Sequence, residues 1–128
     1  MKAELKPDAL VKVRSKTGEY IARLVEFRNE QSAVVETLAV LKHPTQGDLH
    51  QPNETDVPLF HERRAHAFHE KVLVNISAMS LFEGEVPDYE LSLKNALIEK
   101  MKPLEERDDL WAKKSYEHLN TLYKEYFK

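Results

Sequence analysis

The chain has 128 residues, with 19 Lys or Arg against 22 Asp or Glu, for a formal net charge of −3. This length fits one compact domain, and the absence of cysteine excludes disulfides, thiolate metal sites and a cysteine nucleophile. The mild acidity argues against a protein that binds nucleic acid mainly through charge.

The first 42 residues have the pattern of antiparallel β-strands. Residues 10–16 alternate between apolar and basic side chains, and residues 20–28 are rich in Tyr, Ile, Val and Phe. Between them, residues 17–19 contain a glycine and predict a tight hairpin turn, since glycine readily adopts positive φ. A third run, residues 32–42, is apolar on both faces and therefore needs cover on both. We predict a small barrel that is partly covered by another layer.

The middle of the chain is unusual. Residues 43–58 contain three of the six prolines and show no sustained period. Loops longer than about 12–15 residues are uncommon in compact domains and are often functional. After this loop, residues 65–74 predict a further strand, because Val72, Leu73 and Val74 are consecutive β-formers.

From Val86 onward the apolar residues follow a helical period. Pro87 suits a first-turn position, Asp88 suits the positive end of the helix dipole, and Pro103 is expected to close this helix. Its predicted buried stripe consists of Tyr89, Leu93, Ala96, Leu97 and Met101.

A second helix follows, with Asp108 as its predicted cap and Asp109 as an acid of its first turn. Its predicted buried stripe is Trp111, Ser115, Leu119, Leu122 and Tyr126. Because the connection is short, we expect an antiparallel helical hairpin that packs on the barrel. The fold class is therefore α+β. Residues 1–76 form the barrel, with the 43–58 loop inside it, and residues 77–128 form a helical segment that unfolds with it.

Five of the six histidines lie between His43 and His69, among several carboxylates. Such a cluster suggests an oxygen and nitrogen metal site, but its nearest motif spaces His61 and His66 by five residues, whereas the helical zinc motif needs four. Five residues turn a helix by about 140° beyond a full turn, so the two rings diverge. We predict no metal, no cofactor and no catalytic residues. A pH-sensing role for the histidines stays open beside the simpler reading of surface side chains.

Lys12, Arg14 and Lys16 form a basic row on the first strand. Such a row is most often the solvated face of a strand. The alternative function that it suggests is a small-barrel module that binds nucleic acid or associates with the ribosome.

Several stretches of the sequence resemble the kinase-associated protein B family. They are KTGEYI at 16–21, KHPTQGDLHQP at 42–52, VPLFHERRA at 57–65 and GEVPDY at 84–89. The resemblance implies an SH3-like barrel followed by helices. It also implies a non-enzymatic accessory protein that supports a membrane-bound sensor histidine kinase in the sporulation phosphorelay.

The family is often called a lipoprotein, but this sequence has no cysteine to lipidate and no apolar segment near its start. We therefore expect a cytoplasmic protein that reaches a membrane only through its kinase partner, without inserting directly and without binding nucleic acid.

The predicted contact surface is the segment from His43 to Arg63 with the adjoining barrel edge. Its long, proline-bounded loop on a compact scaffold is typical of binding surfaces. Exposed Leu49, Phe60 and Arg63 are the expected anchors. The full candidate set is His43, Gln46, Asp48, Leu49, His50, Phe60, His61, Glu62 and Arg63.

Overall fold

The computed structural model of the chain describes residues 5–46, 64–107 and 109–127. Five strands precede two helices in the sequence. They are β1 (Leu10–Ser15), β2 (Gly18–Phe27), β3 (Ser32–Lys42), β4 (Lys71–Asn75), β5 (Met79–Leu81), α1 (Tyr89–Glu105) and α2 (Leu110–Tyr126), with a 3₁₀ turn at Ile76–Ala78 between β4 and β5.

The strands form one antiparallel sheet in the order β4-β3-β2-β1-β5. The two edge strands, β4 and β5, are linked by the 3₁₀ turn, and no ladder joins them among the described residues. The sheet is thus SH3-like in order but is not a closed barrel. The α+β class and the third strand at Ser32–Lys42 are confirmed, and the sheet extends to Leu81, beyond the 1–76 range expected for the barrel.

The turn between β1 and β2 lies one residue earlier than predicted. Lys16 and Thr17 occupy it with φ of 47° and 70°, while Gly18 pairs with Ser15 inside the ladder. Gly18 is instead required by a close approach, because a Cβ there would lie 2.6 Å from the hydroxyl of Tyr20. The glycine lets the Tyr20 ring fold back over its own strand.

The long strand β3 carries the centre of the core. Ala33, Val35 and Thr37 are fully buried on one face, and α1 packs against this strand. The register shift beside Ala22 moves Ala39 to the opposite face, where it pairs with Ile21. Val34 and Leu38 on the opposite face are only half-buried. The apolar pattern on both sides therefore reflects one complete layer of cover and one partial layer.

Helix α1 begins and ends later than predicted. Asp88 is its N-cap and accepts a hydrogen bond from the Leu91 N–H at 3.1 Å, so Pro87 lies before the helix instead of in its first turn. Pro103 lies inside the last turn, and the helix continues to Glu105. Pro103 removes one helical hydrogen bond, and the last turn is held instead by Met101 and Leu104, which pack partly buried against the core.

Helix α2 is capped one residue later than expected. The Asp109 carboxylate accepts the Ala112 N–H at 2.8 Å, and Asp108 lies outside the described residues. Ala112 takes the buried position that was assigned to Trp111. The Trp111 ring is half-buried beneath the Arg107 guanidinium, 5.0 Å from the ring centre. The rest of the stripe at Ser115, Leu119 and Leu122 is buried as predicted.

The predicted strand at 65–74 is wrong over its first six residues. Strand β4 begins at Lys71. Just before it, His69 has a φ of 68°, so the extended backbone does not continue toward Ala65. Residues 64–68 turn away from the sheet to meet the helices, where the Ala65 N–H donates to the Tyr126 hydroxyl at 3.0 Å. Tertiary hydrogen bonds thus override the local β-propensity.

One buried serine links α1 to the sheet. The Ser92 hydroxyl accepts the Val40 N–H at 3.0 Å and donates to the Tyr89 carbonyl at 2.8 Å. Val40 lies beside an irregularity in the pairing of β2 with β3, where its amide would otherwise lack a partner. The serine therefore satisfies a backbone group that the sheet leaves open.

We expect Ser92→Ala to lower the free energy of unfolding by about 1–3 kcal/mol, because it strands the buried Val40 N–H. Ser80→Ala, at an exposed position of β5, should change it little and serves as the matched control. Denaturant unfolding is measured by far-UV circular dichroism and by fluorescence of Trp111, the single tryptophan. If sheet and helices unfold as one unit, both transitions shift together, and separation of the two probes would contradict that prediction.

Candidate functional site

A groove of about 910 Å³ opens where the first hairpin, the segment 64–70 and the ends of both helices meet. Its walls are mainly aromatic and its rim is charged. The side chains that shape it are Tyr20, Pro44, His66, Phe68, Tyr89 and Tyr126.

The floor of the groove is a stacked pair of rings. The Tyr20 and His66 rings are parallel within 5°, with centres 4.0 Å apart. His66 Nδ1 also lies 3.2 Å from the buried Thr37 hydroxyl of β3. Burial lowers the pKa of His66 and raises that of Tyr20, so both rings are neutral near pH 7. The floor therefore joins segment 64–70 to the core of the sheet.

The Tyr126 hydroxyl forms the back wall. It lies 3.2 Å from His43 Nε2 and accepts the Ala65 N–H at 3.0 Å. His43 Nδ1 lies 3.0 Å from the Pro44 carbonyl, which only accepts, so Nδ1 carries the proton and Nε2 accepts from Tyr126. A single chain of hydrogen bonds thus ties residues 43–44 to residue 65 through the end of α2.

Burial sets the charge state of this chain. His43 is fully buried, and desolvation lowers its pKa to about 4. The nearby Lys100 ammonium lowers it further, while the bond to Pro44 acts in the opposite direction. A neutral imidazole is the form that donates from one nitrogen and accepts at the other, as this arrangement requires.

Tyr89 and Phe68 form the mouth of the groove. The Tyr89 hydroxyl donates to the His66 carbonyl at 2.5 Å, and burial raises the pKa of Tyr89 to about 12. The Phe68 ring stacks on Tyr89 with ring centres 5.3 Å apart, yet 51% of Phe68 is exposed. The mouth therefore presents a fixed aromatic surface to solvent.

Charges of both signs surround this aromatic surface. The charged lining residues of the groove are Lys16, Arg64, Glu70, Asp88 and Glu90. Arg64 pairs with Glu125 at 2.5 Å and lies 5.3 Å above the Tyr126 ring. The tyrosine hydroxyls and Arg64 already hold structural partners, so they serve to position the walls.

The predicted contact residues fall into two sets. His43 and Gln46 are buried, with exposures of 0% and 3%, and both interact with the Pro44 carbonyl. The other seven lie outside the described residues: Asp48, Leu49, His50, Phe60, His61, Glu62 and Arg63. The described chain on both sides of that segment, at Pro44 and at Arg64, borders the groove.

The alternative basic row is not continuous. Lys12 and Arg14 are exposed on β1, but Arg14 lies opposite Glu19 in the ladder. Lys16 is in the hairpin turn and borders the groove. The three cations therefore do not share one strand face.

Two further properties concern metals and membranes. Within residues 5–46, 64–107 and 109–127, no group of three or more His, Asp or Glu side chains is placed to hold a metal ion. Among the same residues, neither helix is long and apolar enough to cross a bilayer.

Sequence reasoning did not group Tyr20, His66, Tyr89 and Tyr126 as a site. It placed the tyrosines on separate strands and helices as core residues, and their meeting depends on how α1 and α2 pack on the sheet. The one local signal is the density of aromatic residues at Tyr123, Tyr126 and Phe127 near the end of α2.

Comparison with known proteins gives a consistent result. A family model described as "Kinase associated protein B" matches residues 15–127. Kinase-associated lipoprotein B of Bacillus subtilis (strain 168) is 44% identical over 119 residues, which cover 93% of this chain and 92% of that protein. The crystal structure of kinase-associated protein B from Bacillus cereus has a TM-score of 0.81 at 36% identity, covering 96% and 98% of the two chains.

The fold is thus that of a kinase-associated protein, a small sheet with a helical hairpin. The chain belongs to the kinase-associated protein B family, and the resemblance noted in the sequence is confirmed.

We expect Tyr126→Phe to lower the free energy of unfolding by about 1–3 kcal/mol, because it leaves buried His43 Nε2 and the Ala65 N–H without their partner. Tyr123→Phe removes a hydroxyl from the same helix and, since Tyr123 does not line the groove, should cost much less. Urea unfolding of both variants measures the difference. Equal losses would show that the Tyr126 hydroxyl does not hold the segment.

Stability should fall as the pH drops from about 6.5 to about 4. The pKa of His43 is lowered to about 4 in the folded chain against 6.5 unfolded, so the unfolded chain binds the proton first in this window. His66 contributes in the same direction. The contribution of His43 to the free energy of unfolding is on the order of 3 kcal/mol. It is fully present above pH 6.5 and is lost progressively as the pH falls from 6.5 to about 4.

Urea unfolding at several pH values compares the slopes of wild type and His43→Gln. The variant should show the shallower dependence between pH 6.5 and 4, whatever its absolute stability. Parallel slopes would contradict the assignment of a buried neutral imidazole.

Proposed function

We propose that the chain is a non-enzymatic accessory protein that binds and supports a membrane-bound sensor histidine kinase of the sporulation phosphorelay. Membership of the kinase-associated protein B family supports this proposal, as does the name of the 44% identical relative. The protein acts in the cytoplasm and meets the membrane through the kinase. The 128 residues contain no cysteine, so the lipid in the relative's name has no thiol to attach to within them.

In this proposal the contact surface consists of the mouth of the groove and the predicted contact segment. The described residues on either side of that segment, Pro44 and Arg64, border the groove. The observation that carries it is the anchoring of the two ends. His43 and Ala65 share the Tyr126 hydroxyl, and the Thr45 N–H donates to the Thr17 hydroxyl at 2.9 Å. A rigid base of this kind presents a binding segment at low entropic cost.

Phe68 is the described side chain best suited as an anchor. It is half-exposed, held by stacking on Tyr89, and shares the groove with charged side chains of both signs. An exposed aromatic ring beside charges of both signs fits a partner surface that offers an apolar pocket bordered by charged residues.

A non-catalytic role also agrees with how the polar groups of the groove are used. The hydroxyls of Tyr89 and Tyr126 and the imidazole of His43 each hold a partner in the wall. Their shared effect is to fix the shape of the groove, which is what a docking surface needs.

We expect Phe68→Ala to weaken binding to the kinase by about tenfold or more, because it removes a preorganised aromatic anchor. The test measures binding and autophosphorylation for each purified sensor histidine kinase of the bacterium that encodes the chain. Leu110→Ala is the matched control. Leu110 is 71% exposed at the start of α2, about 24 Å along that helix from Tyr126.

The outcomes separate the two parts of the proposal. If no kinase binds the wild-type chain, the accessory role is wrong. If a kinase binds both variants equally, the role stands and the groove is not the contact surface. A His50→Ala/Phe60→Ala double variant, within the segment outside the described residues, applies the same test to that segment.

A further inference from the structure

The sheet has two edges, and they differ. On one edge, β5 is only three residues long. On the other edge, β4 runs for five residues, Lys71–Asn75, and among the described strands it pairs with β3 alone. Short edge strands limit unwanted pairing, whereas a longer one offers a template for another strand.

The pairing register shows which backbone groups of β4 face away from the sheet. At one end the Thr37 N–H donates to the Glu70 carbonyl, and at the other the Ile76 N–H donates to the Gln31 carbonyl. Hydrogen-bonded residues alternate along an antiparallel strand, so Val72 and Val74 bond to β3. Lys71, Leu73 and Asn75 therefore direct their N–H groups outward.

Most side chains of this edge strand are uncharged. Leu73 at the middle of β4 is 61% exposed and lies opposite the half-buried Val34 on the outer face. Proteins commonly protect such central edge positions with a charge or a proline. Here the one charge, Lys71, is at the end of the strand.

We propose that β4 pairs in antiparallel fashion with β4 of a second copy of this chain, about a two-fold axis at Leu73. This register places Leu73 opposite Leu73 of the second copy, and each offers its outward N–H and C=O to the other. The two five-stranded sheets become one continuous sheet.

The second copy fits because β4 is complementary to itself in this register. Lys71 lies opposite Asn75 of the second copy, so no like charges face each other across the new ladder. The two exposed Leu73 side chains come to the same face and cover one another. A two-fold interface that uses the same patch twice is the commonest arrangement in homodimers.

Pairing of two five-residue strands buries far less than the roughly 1,200 Å² of a standard stable interface. The association is therefore weak and depends on concentration. It rests on β4 alone and is independent of the proposed contact with a kinase.

Sedimentation equilibrium from about 10 μM to about 1 mM tests the proposal, a range that spans weak association. Wild type should shift from monomer toward dimer. Leu73→Pro removes the outward N–H and leaves the ladder to β3 intact, since the Leu73 amide does not bond to β3. We expect this variant to raise the dissociation constant about tenfold or more, whereas Leu73→Val, which keeps the amide and an apolar side chain, should retain the dimer.

Circular dichroism checks that Leu73→Pro is folded, and hydrogen exchange of the wild type gives a second readout without any substitution. The Leu73 and Asn75 amides should exchange fast in dilute protein and become protected as its concentration rises. A wild type that stays monomeric at about 1 mM overturns the proposal, as does a dimer that persists in folded Leu73→Pro. Protection in dilute protein also overturns it, because the edge would then be covered by another part of the same chain.

Discussion

The hydrogen bonds of the Tyr126 hydroxyl are the constraint on which the groove depends. This one oxygen lies 3.2 Å from His43 Nε2 and 3.0 Å from the Ala65 nitrogen, so it fixes two chain segments that are 22 positions apart. It comes from the end of α2, so the helical hairpin sets the geometry of a site formed largely by the sheet and its connections. The helices are thus part of the site as well as a cover for the core.

The three described histidines of the sequence cluster, His43, His66 and His69, have three different environments. His43 is buried and neutral with a pKa of about 4, and His66 is stacked on Tyr20. His69 lies 2.9 Å from a Glu36 carboxylate oxygen at the surface. The first two stabilise the native state as neutral rings, so protonation of either ring lowers the stability of the folded chain.

Strand β4 contributes to both surfaces that we propose as binding sites. Val72 points to the inner face and lines the groove, while Leu73 points to the outer face beside the edge that pairs with no other described strand. This division follows from the two-residue alternation of a strand, which separates neighbouring side chains by the thickness of the sheet. The same short element can therefore take part in two independent contacts.

The sequence by itself determined the three long strands, two amphipathic helices and the family, because periodicity and motifs are local properties of the chain. It predicted the 32–42 strand and most of both buried stripes, but misplaced the first turn, the helix caps by one or more residues and the start of β4. Only the tertiary structure decided that Gly18 must accommodate Tyr20, that residues 64–68 turn away from the sheet, and that Tyr20, His66, Tyr89 and Tyr126 form one groove. Each of these depends on contacts between residues far apart in the chain, and such contacts leave no periodic signal in the sequence.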